Sequence, residues 1–243
     1  MAGSRNQGYH KHKNAQSFNH NDKEYQERRK RDNERVALLE KFMDEVYAKE
    51  GYEIQRVTET SLQKKGVDFI HMEGSEKHRV DEKYAINYYN KDLFTFSFEV
   101  YSKNNANCDG WFVSENMITD DYAILWFRAN EDFSEITKYD LCVVPKKAIW
   151  DLVYDAGFDD ELVHDFLRYW DYIHILRPDD NYYERGEGKG LRRYYDLDYG
   201  IKLCQSVGFS EQPINLIIPK EELVRIATHR FKSPNPKYRK NKR

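Results

Sequence analysis

The sequence predicts a mixed α/β protein built on an at least partly antiparallel sheet. Three observations carry that prediction. An amphipathic helical stretch comes first, a series of short strand-like runs at hairpin spacing follows, and two strand-to-helix joints recur later in the chain.

The helix is expected from Lys23 to Glu50. Val36, Leu39, Met43 and Val46 recur at i, i+3, i+7 and i+10, Phe42 and Tyr47 widen the stripe, and Gly51 stands where a C-cap glycine belongs. The strand-like runs are YEIQRVTE (52–59), VDFIHM (67–72), RVDEKYAI (79–86), FTFSFEVYS (94–102), DYAILWFRA (121–129) and DLCVVP (140–145). Between the second and third lies EGSEKH, a polar turn with one glycine. Gly110-Trp111, an acidic turn and the apolar run after it read as the fourth sheet element, and Glu99 is a further acid inside a strand. VVPKKAIWDLV (143–153) echoes IIPKEELVRIA (217–227), each a strand followed by a helix that opens near Pro145 or Pro219. Between them a helix is expected over 159–176 and a basic, tyrosine-rich loop over 179–195.

Composition bounds the organisation. A chain of 243 residues, 40% hydrophobic, suits one domain over 23–231, with polar basic tails over 1–22 and 232–243. Residues 1–35 hold nine Lys/Arg and five Asp/Glu, and residues 230–243 hold seven Lys/Arg and no acid. Taken from the totals of 39 and 42, these leave 23 basic and 37 acidic residues in 36–229, a core near −14. Basic arms on an acidic core suit a protein that binds metal and touches a polyanion. His10, His12 and His20 stand in the N-terminal tail and His71 and His78 flank the hairpin, neither in a metal-type pattern. Cys108, Cys142 and Cys204 are far apart, as expected of free thiols in a reducing cytoplasm. No apolar run approaches the roughly 20 residues of a membrane helix, so no membrane contact is expected.

The informative stretch is GVDFIHMEGSEKHRVDEKYAI (66–86). It places Asp68 and the trio Asp81-Glu82-Lys83 inside runs that otherwise read as buried strands. Alternate residues of a strand share a face at roughly 6.6 Å, so Asp81 and Lys83 emerge together. Asp68, on the preceding strand, reaches the same face. Two carboxylates about 4 Å apart repel by on the order of 4 kcal/mol at an effective dielectric near 20, and a cation relieves that. Hard divalent cations take oxygen ligands, and a neighbouring lysine can orient a water.

An acid, a variable hairpin and an acid-x-Lys on the next strand resemble the PD-(D/E)XK nuclease superfamily. The resemblance covers roughly residues 34–130. It implies a restriction-endonuclease-like mixed central sheet flanked by helices, here with an N-terminal helix and a C-terminal strand-helix extension. It also implies Mg²⁺ or Mn²⁺ on Asp68 and Asp81, with Lys83 orienting the attacking water. The family's opening helix often supplies another acid. Glu40, eleven residues ahead of Gly51, borders the apolar stripe and fits better than Glu45. Two departures stand out: Gly66-Val67 occupies the place of the family's proline, and the usually apolar x position is Glu82. Glu82 therefore needs a partner, exposure or a place among the metal ligands, and either Glu40 or Glu82 is the third acid. Lys83 paired with Asp68 and Asp81 in a purely structural salt bridge is the bland alternative.

The function expected is a metal-dependent nuclease with DNA, in preference to RNA, as partner. Arg185, Lys189, Arg192 and Arg193 in the basic loop are its candidate nucleic-acid contacts. The loop lacks the GK[ST] of a phosphate-cradling NTPase loop. A homodimer is compatible with this reading. The alternative is a non-catalytic acidic module, or nucleic-acid mimic, that engages another protein.

Overall fold

A computed structural model describes residues 23–103, 108–159, 161–174, 179 and 181–233. Helix α1, Lys23–Glu50, opens it. Leu39, Met43, Val46 and Tyr47 lie at helical spacing, and all are buried on one stripe. The helix stops where Gly51 takes a φ of 70°, and the Tyr52 N–H turns back to the Tyr47 carbonyl at 2.9 Å. That bond satisfies one of the last free carbonyls of the helix.

Then follow β1 (Ile54–Arg56), the one-turn α2 (Thr60–Gln63), β2 (Phe69–Glu73), β3 (Glu76–Tyr84), β4 (Thr95–Tyr101), β5 (Asp121–Ala129) and β6 (Ile136–Pro145). The second half holds α3 (Lys146–Asp155), α4 (Leu162–Arg168), β7 (Tyr182–Arg185), β8 (Arg192–Asp196), β9 (Lys202–Ser206), β10 (Ile214–Pro219), α5 (Lys220–Arg225) and β11 (His229–Lys232).

These strands form two sheets, in the orders β1-β2-β3-β5-β6-β11 and β4-β10-β9-β8-β7. Neighbours run antiparallel except β3 and β5, which are parallel in the register Asp81 to Tyr122. A parallel pair needs a crossover, and the chain makes it by leaving the first sheet for β4 before returning as β5. The architecture is therefore mixed α/β with two mostly antiparallel sheets.

Strand β5 is buried on both faces. Tyr122, Ile124 and Trp126 join a core with Phe96, Phe98, Leu216 and helix α3. Ala123, Leu125 and Phe127 join a second core under α1 with Leu39, Met43 and Phe69. Period-two alternation along one strand thus feeds two cores. α3 and α5 each begin directly after a proline, Pro145 at φ −59° and Pro219 at φ −57°, as the two echoing motifs imply.

The stretch Cys108–Phe112 lies along the free edge of β4. Gly110 N–H donates to the Val100 carbonyl at 3.1 Å and Phe112 N–H to the Glu99 carbonyl at 3.0 Å. This seats Trp111 and Phe112 in the first core, where Phe112 stacks on Trp150 at 4.6 Å.

Several sequence expectations change. The run 94–102 pairs with β10 in the second sheet, not with its sequence neighbours. The run 52–59 shrinks to three residues. The expected basic loop at 179–195 is instead the hairpin β7–β8, held by the pairs Tyr182–Tyr195 and Tyr183–Tyr194. The helix expected over 159–176 is α4 continued by a wider turn over Tyr169–Ile173. All three cysteines are free, as expected. The tail 1–22, with His10, His12 and His20, lies outside the described residues, as do 234–243. No described helix is long and apolar enough to cross a membrane.

A Cβ at Gly110 would run into backbone atoms of Glu99 and Val100. Gly110→Ala should therefore lower stability by about 2 kcal/mol or more, because a strand edge cannot retreat as a side-chain tip can. Gly190→Ala, with nothing within 4 Å of its Cβ position, should change the denaturation midpoint little. Chemical denaturation of both variants checks the contrast.

Candidate active site

Two glycines shape the hairpin that carries the site. Gly74 turns β2 into β3 at a φ of 63°. Gly66 enters β2 at a φ of 74°, and a Cβ there would lie 2.5 Å from Thr119 Oγ1 and 3.1 Å from Asp81 Oδ2. The chain thus passes close against the end of β3, with Thr119 donating to the Gly66 carbonyl at 2.7 Å.

Asp68 sits one residue before β2. Its backbone N–H donates to the Val80 carbonyl at 2.9 Å, while its carboxylate accepts the Glu82 N–H at 2.7 Å. A side chain thereby takes the place of a backbone partner at the end of the β2–β3 ladder, which brings Asp68 beside Asp81.

Asp81 and Lys83 share one face of β3, as the alternation requires. Asp81 is 3% exposed. Its Oδ1 accepts from Lys83 Nζ at 2.7 Å, and its Oδ2 is buried with no hydrogen-bond donor to it among the described residues. Burial pushes the Asp81 carboxyl up to about 6; Lys83 opposes that rise and the neighbouring Asp68 carboxylate adds to it. Lys83 Nζ also lies 4.6 Å from the centre of the Trp111 ring, so the Cys108–Phe112 strip supplies the floor under the ammonium. Tyr122, beside Asp81 across the parallel pair, is raised by burial and by the Asp81 charge.

Glu82 faces the other way, toward α1. Arg56 Nη1 donates to its Oε2 at 2.6 Å and the Tyr47 hydroxyl to its Oε1 at 3.1 Å. Arg56 also grips Asp44 with Nη2 at 2.6 Å and Nε at 2.8 Å. Burial pushes Glu82 up to about 7 against the opposing pull of Arg56. The expectation that Glu82 is a metal ligand beside Asp68 and Asp81 is not what this geometry gives, because both its oxygens are engaged on the opposite face of the strand. The departure at the x position is resolved by a partner: an acid buried where an apolar residue was expected, matched by an arginine from β1.

Glu40 lies on an exposed part of α1. Its backbone carbonyl accepts from Arg56 Nη2 at 3.4 Å, and among the described residues its carboxylate does not complete a metal-type trio with Asp68 and Asp81. Glu99 is half-buried on β4, raised by burial and by Glu211. Arg185, Lys189, Arg192 and Arg193 lie on the β7–β8 hairpin, in the second sheet. There Arg193 pairs with Glu184 at 2.8 Å and covers Trp170, Arg192 covers Phe209 and Arg185 covers Tyr183.

One residue near the site escaped sequence reasoning. Lys146, first in α3, is half-buried, and its pKa is lowered by burial while Asp81 and Asp120 pull it the other way. Its only sequence signal is the Pro-Lys joint.

The donor chemistry suits a hard cation: two carboxylates, one with a buried oxygen lacking a partner. Mg²⁺ commonly takes one or two carboxylates and completes its shell with water. Among the described residues no trio of His, Cys, Asp or Glu gathers as a ready-made metal cluster.

Two outcomes are expected. Arg56→Met should cost about 3 kcal/mol by leaving buried Glu82 without its counter-ion, so that it must take up a proton, and adding Glu82→Leu should restore much of it; a double-mutant denaturation cycle checks this. The folded pKa of Asp81 is raised, so its ionised form opposes folding. That penalty is absent in acid and grows as pH rises through about 6. In metal-free protein Asp81→Asn should therefore melt higher than the parent at about pH 8, by on the order of 3 kcal/mol in stability, with the gap closing toward about pH 4. Melting curves across pH measure it.

In comparisons with protein-family models, curated proteins and solved structures, nothing matches this chain, so the reading of the site rests on its own geometry.

Proposed function

We propose that this protein is a divalent-metal-dependent nuclease of the PD-(D/E)XK type, acting on DNA as an endonuclease. The observation that carries the reading is the pairing of Asp68 and Asp81 on one face of the β2–β3 hairpin, with Asp81 Oδ2 buried and unpartnered and Lys83 two residues on. An antiparallel hairpin whose second strand pairs in parallel with a buried central strand, with an amphipathic helix ahead of it, supports the same reading. So does the break in apolar patterning, since an unmatched carboxylate in a strand is costly unless a ligand uses it.

In this reading Asp68 and Asp81 hold Mg²⁺ or Mn²⁺, which when bound lowers the pKa of water and offsets charge on the phosphate. Lys83 Nζ, fixed by Asp81 Oδ1 and by the Trp111 face, orients the attacking water. The water oxygen forms the new P–O bond as the opposite P–O bond breaks, the leaving oxygen departs with the electron pair, and the water proton is released to solvent while Lys83, an ammonium throughout, only donates. Phosphorus inverts and no covalent enzyme intermediate forms. The 2.7 Å Asp81–Lys83 pair favours a second reading, a structural ion pair in a non-catalytic acidic module. The unpartnered Asp81 oxygen weighs against it.

Supercoiled plasmid, linear duplex, single-stranded DNA and RNA incubated with Mg²⁺, Mn²⁺ or EDTA decide between them. Cleavage should need metal and should fall by about 100-fold or more in both Asp81→Ala and Lys83→Ala. Mg²⁺ should also raise the melting temperature of the parent more at about pH 8 than at about pH 5, where Asp81 is largely protonated, and should do little for Asp81→Asn. No cleavage of any substrate by folded parent protein, or unchanged cleavage in the two variants, would discard the nuclease in favour of the acidic module.

A further inference from the structure

Beside the carboxylates an open groove of about 720 Å³ runs between the start of β3, the loop before β5 and the start of α3, with Lys77, Thr119, Asp120, Lys146, Lys147 and Trp150 among its walls. It adjoins the site. Thr119, in its wall, bonds to Gly66, and the same close approach brings Gly66 against Asp81. The start of α3 is fixed there, because the Lys146 N–H donates to the Asp120 carbonyl at 2.8 Å.

Most charges in the groove are already matched. Arg79 holds Asp120 at 2.7 Å, His78 bonds Asp121 at 2.8 Å, and Lys147 is tied to Asp151 at 2.6 Å. The ammonium groups of Lys77 and Lys146 have no ion-pair or hydrogen-bond partner among the described residues. The groove therefore offers two unmatched cations on a core whose charge is close to −14 by sequence. Lys77 is exposed at the mouth. Lys146 is half-buried, close enough to Asp81 and Asp120 to feel both charges, yet its ammonium contacts neither. Holding a lysine partly desolvated without a partner is unfavourable in the free protein, and an anion entering the groove relieves it.

Resting on the nuclease reading, we propose that one sugar–phosphate strand lies in this groove and that Lys146 donates to a non-bridging oxygen of the phosphate hydrolysed over Asp68 and Asp81. Lys146 takes no part in bond making. It offsets charge on the phosphate, and Lys77 meets a neighbouring phosphate. Lys138, at the other end of β6 and paired with Asp92 at 3.3 Å, lies outside the groove and serves as the internal control.

The test uses the full chain and a short fluorescein-labelled duplex and its single strands. Binding is read by anisotropy in Ca²⁺ across a salt series, and cleavage is read in Mg²⁺. Lys146→Met should cleave about 100-fold more slowly, and its binding should weaken with a salt slope smaller by about one. Lys146→Arg should keep most of the binding, and Lys138→Met should differ little from the parent in both assays. Parental binding and cleavage in Lys146→Met would overturn the proposal and leave the nuclease standing. Equal losses in Lys146→Met and Lys138→Met would also overturn it, by showing diffuse surface charge. A parent that neither binds nor cleaves would remove both readings. If Lys146→Met fails to fold, amine acetylation of the parent read by mass spectrometry decides instead. Shielding of Lys146 by the bound oligonucleotide supports the proposal, and unchanged labelling rejects it.

Discussion

The strict alternation of β3 is the constraint on which the site depends. Three charged residues in a row cannot share a face of a strand. Asp81 and Lys83 are sent toward the second sheet, where Trp111 and Tyr122 wait, and Glu82 is sent under α1. The hydrogen bond from the Glu82 N–H to Asp68 locks this division. A slip of the hairpin by one residue would put Glu82 among the aromatics and strand Asp81 beneath α1, away from its lysine. The register is therefore specified by charge as firmly as by apolar packing.

The two faces treat their acids in opposite ways. Glu82 is enclosed and matched: Arg56 and Tyr47 engage both its oxygens, and Asp44 holds the far side of the guanidinium. Asp81 is enclosed beside Asp68, with one oxygen on Lys83 and no donor to the other among the described residues. A buried polar group is ordinarily satisfied. The contrast across a single strand is between an acid engaged on both oxygens and an acid engaged on one.

How much of this was legible follows from what each signal depends on. Asp68, Asp81 and Lys83 were legible because an acid inside an apolar run breaks a local pattern. Helix α1 was legible because its stripe and Gly51 lie within one stretch. The partner of Glu82 was not, because Arg56 stands 26 residues away in a strand of three residues. The sheet to which β4 belongs was hidden for a related reason: alternating burial looks the same whichever strand lies alongside, and its partner β10 comes more than a hundred residues later. The basic stretch 182–195 looked like a loop because its glycines and arginines dominate, while its tyrosines reveal a hairpin only once they face each other in register. Lys146 carried no mark, since a lysine after a proline opens many helices.

The six-stranded sheet ends in two very short strands, β1 with three residues and β11 with four. The outer one, β11, is pinned to β6 by Arg230, which shares Asp140 with Lys220 of α5. Short, charged borders give a second molecule little backbone to extend. The long apolar strands β5 and β6 are thereby shielded from intermolecular pairing, so β11 acts as a guard against aggregation as well as a sheet strand.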